Sequence, residues 1–225
     1  MIPIVNFDNV IREKEMPTWC KNGKLLPHNA RILIIGSSGC GKTNLLFNLI
    51  FSKNGLRFKT IYLHTKSEYQ DKYLFLRKVF SKMKGIEFHI NSNSESIVHP
   101  NKIQQFSLVI FDDLQLSHTP QIRDYFTMGR HRNIDTAYLI QSYGATQKHF
   151  TRDNANIIVI FKIDQLSLKL IHRDYVGEDI CFRDFSKLCS NVWNSKKHSF
   201  LTIMTECTAN SGKYRQGLDN FIDIQ

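Results

Sequence analysis

Short apolar runs recur along the chain and alternate with segments whose apolar positions fall three and four residues apart. Runs of this length bounded by Gly, Asn, Asp or Lys read as buried strands, and the three-to-four spacing reads as helix. The pattern predicts strands at Ile32–Ile35, Thr60–His64, Ile86–Ile90, Leu108–Phe111, Thr136–Ile140, Asn156–Phe161 and Phe200–Thr205. It predicts helices at Lys42–Phe51, Tyr69–Met83, Gln121–Met128 and Gln165–Tyr175. Strands alternating with helices imply an α/β fold with a mainly parallel central sheet flanked by helices. In the second helix Tyr69, Tyr73, Leu76, Phe80 and Met83 form one apolar stripe, while Lys72, Arg77, Lys78, Lys82 and Lys84 fall mostly off it. That basic side reads as a solvated face. The polar stretches Asn91–Lys102 and Thr208–Gly217 are expected to be mobile loops. No repeat, low-complexity tract or Pro/Gly linker divides the chain. A single domain over residues 1–225 is expected, its core at about 24–205 with short terminal extensions.

Composition adds a partner class and removes others. A chain of 225 residues with 42% hydrophobic content and 16 Phe can bury a sizeable core. Thirty Lys and Arg against 20 Asp and Glu leave +10, with a pI near 9.4. Such an excess favours a polyanion, because neutralised phosphates release counterions, but it does not separate DNA from RNA or an anionic membrane. Five cysteines, an odd number with no C-x-x-C pair, argue against a disulfide framework or a zinc site and fit a reducing compartment. The first residues carry charge where a signal peptide needs an apolar core, and no apolar run approaches the roughly 18 residues of a span. The expectation is a soluble, intracellular protein.

One stretch carries explicit chemistry. Gly36-Ser37-Ser38-Gly39-Cys40-Gly41-Lys42-Thr43 matches the phosphate-loop pattern G-x-x-x-x-G-K-[ST] at every fixed position, between a predicted strand and a predicted helix. The glycines allow a tight turn whose N–H groups face a phosphate, and the helix N-terminus adds partial positive charge. Lys42 is expected to bridge the β- and γ-phosphates of ATP, and the Thr43 hydroxyl to bind Mg²⁺. Cys40 occupies a variable position and reads as a small spacer.

A triphosphatase also needs carboxylates at the end of a buried strand. "SLVIFDDLQ" supplies Asp112, expected in the Mg²⁺ shell, and Asp113, expected to orient or deprotonate the attacking water. The strand at Thr136–Ile140 ends in Gln141, a candidate sensor of the γ-phosphate. Arg130 and Arg132, just before that strand, and Arg152, before the next, are candidates for a finger that stabilises a neighbouring subunit's transition state.

Together these residues resemble a known family. "GCGKTNLL", "VIFDDL", "GRH" before "QSY", and "RDNANIIVIF" follow one another as in the genome-packaging ATPases of poxviruses, other large DNA viruses and virophages, within the FtsK–HerA superfamily. "LLPHNARILIIG" is similar to that family's approach to its first strand, and the resemblance runs from Lys24 to Lys162. It implies a P-loop NTPase of the RecA/FtsK–HerA kind that uses ATP and Mg²⁺ and forms a homo-oligomeric ring, pentamer or hexamer. Such a ring encircles double-stranded DNA and drives it into a capsid through a capsid or portal partner. It implies activity in host cytoplasm at sites of virus assembly or in the virion, with no membrane partner. By the same resemblance Asp112 and Asp113 are the metal and water acids, Gln141 the sensor, and Arg130 or Arg132 the finger. One departure is the second acid, since many members of the wider superfamily carry Glu where this chain has Asp113.

Two further matches fail on their own chemistry. "NKIQ" has Gln104 where guanine recognition needs Asp, and "HRD" at His172–Asp174 has Asp179 where a kinase loop needs Asn. Two other functions compete: a small P-loop kinase of nucleosides or nucleotides, and a nucleotide-dependent assembly protein that does not hydrolyse. The paired acids weigh against both.

Overall fold

The structure is a computed structural model that describes residues 17–92, 97–114, 120–144 and 154–224. Its parallel strands and their helices are β1 (Arg31–Ile35), α1 (Lys42–Phe51), β2 (Thr60–Thr65), α2 (Asp71–Phe80), β3 (Glu87–Asn91), β4 (Ser107–Asp112), α3 (Pro120–Met128), β5 (Asp135–Ile140) and β6 (Ile157–Ile160). Helices α4 (Gln165–Ile171) and α5 (Phe182–Ser195) follow, then β7 (Leu201–Met204), β8 (Tyr214–Gln216) and β9 (Asn220–Ile222). The nine strands form one sheet in the order β3-β2-β4-β5-β1-β6-β7-β8-β9. Strands from β3 to β6 run parallel, and β7, β8 and β9 add on antiparallel. The expected α/β class with a mainly parallel sheet is borne out.

The continuous apolar strands have their explanation in two cores. Ile32, Ile34, Leu108 and Ile110 face α1 and α2, packing on Leu46, Leu49, Tyr73 and Leu76. Leu33, Ile35, Val109 and Phe111 face the other way, onto Tyr125, Phe126, Leu168, Ile171 and Phe185 of α3, α4 and α5. A sheet buried on both faces needs apolar side chains at successive positions, which is why these strands do not alternate.

Differences from the sequence pattern have local causes. The helix predicted from Gln165 stops at Ile171 and continues as a π-helical turn, His172–Val176, that ends at Gly177 with φ of +59°. Helix α5 was absent from the pattern reading, although Phe185, Cys189 and Val192 fall four and three apart and are buried. A π-helical turn, Ala209–Lys213, and strand β8 take up most of the expected mobile loop at Thr208–Gly217, and β9 follows beyond its end. The two strands are three residues each, too short for a visible period. The buried Arg215 guanidinium holds β8 in place by donating to the carbonyls of Gly212, Leu25 and Leu218 at 3.0, 2.8 and 3.1 Å. Among the described residues no helix is long and apolar enough to cross a membrane.

Candidate nucleotide site

Strand order decides what meets at the C-terminal edge of the sheet. β5 lies between β1, which feeds the phosphate loop, and β4, which ends in Asp112. The residue after β5, Gln141, is thereby set between loop and acids. A backbone hydrogen bond from Gly36 N–H to the Ile140 carbonyl, 3.1 Å, ties the loop's start to the end of β5.

The loop is locked by close packing. A Cβ on Gly36 would meet Cys40 Sγ at 2.6 Å and Phe161 Cβ at 2.7 Å, so only glycine fits there. Gly41 opens α1 with φ of +117°, a conformation other residues rarely adopt. Lys42 Nζ donates to the carbonyls of Gly36 and Ser37 at 2.7 and 2.9 Å, so the ammonium spans its own loop. Ser37, Ser38 and Gly39 are exposed at the rim.

Loop and acids line a single cleft of about 650 Å³, which includes Lys42, Thr43, Asp112, Asp113 and Gln141. Asp112 is only 8% exposed. Burial pushes its carboxyl above the usual range, and the Asp113 charge adds to this. The Tyr73 hydroxyl and the charges of Lys42 and Lys72 oppose the shift. Asp113 is exposed and adopts φ of +55°, a left-handed conformation that Asp tolerates better than most residues. The Tyr138 hydroxyl fastens the turn by donating to the Leu114 carbonyl at 2.6 Å. Gln141 Nε2 donates to Asp113 Oδ1 at 3.2 Å.

The donor set fits Mg²⁺. Asp112 and Thr43 offer hard oxygen ligands beside a phosphate site, and Mg²⁺ usually takes one or two protein ligands and completes its shell with water and substrate phosphates. Among the described residues no group of three or more His, Cys, Asp or Glu forms an all-protein cage.

Two site residues were missed by pattern reading. Tyr73 was assigned to the apolar stripe of α2; it is fully buried, but its hydroxyl donates to Asp112 Oδ2 and interacts with Thr43. Lys72, assigned to a solvated face, lines the cleft. The signal available was their position in the first turn of the helix after β2, the strand that pairs with the acid strand β4. The stripe holds for Tyr73, Leu76 and Phe80, whereas Tyr69 is 79% exposed at the cleft rim.

The arginines lie elsewhere. Arg130 and Arg132 belong to the turn Gly129–Arg132 that precedes β5, at the opposite edge of the sheet. The six residues of β5 separate the two edges by about 20 Å. Arg130 is exposed. Burial first, and then the Arg130 charge, push the Arg31 guanidinium down against the pull of Glu206, which sets Arg130 beside the start of β1. Arg132 is half-buried and donates to the Ile103 carbonyl at 3.1 Å. Arg152 lies outside the described residues. The two chance motifs have structural partners. Gln104 accepts from Thr60 at 2.9 Å and donates to Glu87 at 3.1 Å. His172 pairs with the Ile180 carbonyl, and Asp174 accepts from Tyr143 at 2.9 Å.

The profile of one family, Poxvirus A32 protein, matches residues 19–207. The chain belongs to that family. The resemblance carried by the four ordered motifs therefore holds at family level, and the poxvirus A32 match extends past Lys162 through α5 and β7. No curated protein sequence matches the chain. Among solved structures, the genome packaging NTPase B204 from Sulfolobus turreted icosahedral virus 2, in complex with sulfate, is 15% identical and superposes with a TM-score of 0.55, covering 88% of this chain and 100% of its own. The DNA-packaging ATPase B204 from Sulfolobus Turreted Icosahedral Virus is 16% identical, with a TM-score of 0.55 and the same coverage. At this identity the likeness shows a shared fold.

Proposed function

We propose that this poxvirus A32 family member hydrolyses ATP with Mg²⁺ and uses the energy to drive double-stranded DNA into a viral capsid, as a homo-oligomeric ring docked on a capsid or portal component. One observation carries the reading: Asp112 and Asp113 face Lys42 and Thr43 across one cleft, with Gln141 hydrogen-bonded to the second acid. In this scheme the loop N–H groups and Lys42 bind the phosphates, Thr43 and Asp112 hold the metal, and Asp113 with Gln141 orients the attacking water. Bound metal supplies charge neutralisation on the β- and γ-phosphate oxygens. Support for the nucleotide comes from B204 structures solved with ATP-gammaS and with AMPPCP.

A ring fits the placement of Arg130. It is exposed and lies a strand's length from its own cleft, so it meets a phosphate by reaching a neighbour's site. Arg132, held by the Ile103 carbonyl, is less free to do so. The chain's +10 charge suits a duplex partner.

The test is ATP turnover by purified protein with and without linear duplex DNA. The expected result is a DNA-stimulated rate that vanishes in Lys42→Ala. A rate indifferent to DNA at several salt concentrations contradicts the pump. A mixture of Arg130→Ala and Asp113→Ala proteins, each inactive alone, is expected to regain part of the activity. No recovery contradicts a finger acting between subunits.

A further inference from the structure

Helices α1 and α2 leave part of their apolar surface in water. Phe51 and Phe75 are 46% and 54% exposed, and Leu74 and Met83 are exposed as well. The rings are joined rather than scattered. Phe75 of α2 stacks on Phe47 of α1 at 6.3 Å, Phe47 meets Phe51 edge-on at 6.1 Å, and Phe51 stacks on Phe80 at 5.9 Å. Phe80 in turn stacks on Phe88 of β3 at 5.5 Å. Five rings thus form one row across α1, α2 and β3, open to solvent at Phe51 and Phe75. A contiguous apolar patch rimmed by charge marks an interaction surface.

The charge at this patch is one-sided. From Asp71 to Gly85, α2 and the turn after it carry Lys72, Arg77, Lys78, Lys82 and Lys84 against a single acid, Asp71. Asp71 lines the phosphate cleft, and all five cations are exposed. Among the described residues none of the five forms an ion pair. Lys78 follows Leu74 by four residues and Phe75 by three, so it neighbours both on the helix surface. We infer that this face of α1 and α2 docks an acidic amphipathic helix of a protein partner, its apolar side along the row of rings and its carboxylates on Lys78 and Lys82. The inference does not depend on the nucleotide chemistry.

Apolar surface and charge together select this occupant. Duplex DNA offers phosphates to the lysines but no apolar face to the rings. Single-stranded bases stack on ring faces, and here three pairs of rings turn their faces on one another. A lipid surface takes up side chains that project into it, whereas about half of Phe51 and Phe75 is covered by neighbours. A second copy of this chain brings a net charge of +10 toward the same lysines. An acidic helix satisfies both features: apolar anchors at helical spacing lie along the rings, and the opposite charges steer the encounter.

The experiment measures equilibrium binding of a labelled helical peptide, with Leu and Phe on one face and Glu on the other, to the full-length protein by fluorescence anisotropy. Saturable binding is expected, and a peptide of the same composition with the pattern scrambled is expected not to bind. Phe75→Ser and Lys78→Glu are each expected to weaken binding by roughly tenfold or more. Lys187→Glu, which alters an exposed cation of α5, is expected to leave it unchanged. An unchanged midpoint in urea unfolding shows that the variants are folded. Absence of saturable binding, equal binding of the scrambled peptide, or full affinity in both patch variants overturns the inference. So does a patch variant that keeps the peptide and instead loses oligothymidylate, phosphatidylserine vesicles or oligomer mass. Those three losses assign the face to a single strand, a lipid surface or a second copy.

Discussion

Asp112 and Asp135 are two nearly buried carboxylates on neighbouring strands, at opposite edges of the sheet: β4 ends at Asp112 and β5 begins at Asp135. Their surroundings differ. Asp135 accepts from Asn22 Nδ2 at 3.2 and 3.1 Å and from Ala30 N–H at 2.6 Å, and Asn22 in turn accepts from Arg57 N–H at 2.8 Å. Burial still pushes its carboxyl up to about 7, against those donors. Asp112 has the Tyr73 hydroxyl as its hydrogen-bond donor and otherwise faces a cleft with Lys42, Lys72 and Thr43. A carboxylate enclosed by donors anchors chain segments, whereas one left open toward cations is arranged for a ligand. The N-terminal edge therefore fastens the approach to β1, and the C-terminal edge carries the chemistry.

The sharpest way to break that contrast is to neutralise each acid. Asp112→Asn is expected to lower ATP turnover by roughly 10²–10³-fold, the scale of losing one preorganised electrostatic group, while the fold is retained because burial already disfavours the charge. Asp135→Ala strands the Ala30 N–H and the Asn22 amide. A loss of about 1–3 kcal/mol per unsatisfied group is expected, read as a lower midpoint in urea unfolding. A destabilised Asp112→Asn or a fully stable Asp135→Ala would erase the distinction.

A smaller effect sharpens the catalytic edge. Tyr73→Phe removes the hydrogen bond that favours ionised Asp112, so the Mg²⁺ concentration for half-maximal turnover is expected to rise about tenfold. The acid limb of the pH–rate profile should move to higher pH. Neither change is expected if Tyr73 only fills space.

The smallest effect lies in the wild-type pH dependence of stability, where two groups oppose one another. Asp135 has a raised folded pKa, so its contribution is present below 3.8 and lost as pH rises through about 7. His64, buried by stacking on Phe111, is lowered by burial from 6.5 to about 4, so its contribution is present above 6.5 and lost as pH falls through about 4. Across that shared window the slopes cancel in part. His64→Phe is expected to leave stability falling from acid toward neutral pH, and Asp135→Asn to leave it rising, both measured by urea unfolding at stepped pH.

How much of this was legible in the sequence depended on whether the signal was local. Gly36–Thr43 and the acids after Leu108–Phe111 are contiguous, and their chemistry follows from residue type and order. That Gln141 bonds Asp113 follows from β5 lying between β1 and β4, an order that spacing does not encode. Tyr73 looked like a core aromatic because the apolar stripe is real; only the neighbouring strand reveals what its hydroxyl meets. Asp135 and Asn22 lie 113 residues apart, so their pairing left no mark in either segment. Arg215 falls within the stretch expected to be a mobile loop, yet its buried guanidinium is taken up by carbonyls of three residues.

The most direct test is Mg-ATP turnover with linear duplex DNA, measured side by side for wild type, Asp112→Asn and Asp135→Asn at a temperature where all three are folded. The account predicts DNA-stimulated turnover in wild type, near-complete loss in Asp112→Asn and near wild-type turnover in Asp135→Asn. Turnover that survives Asp112→Asn, or that DNA leaves unchanged in wild type, would contradict it.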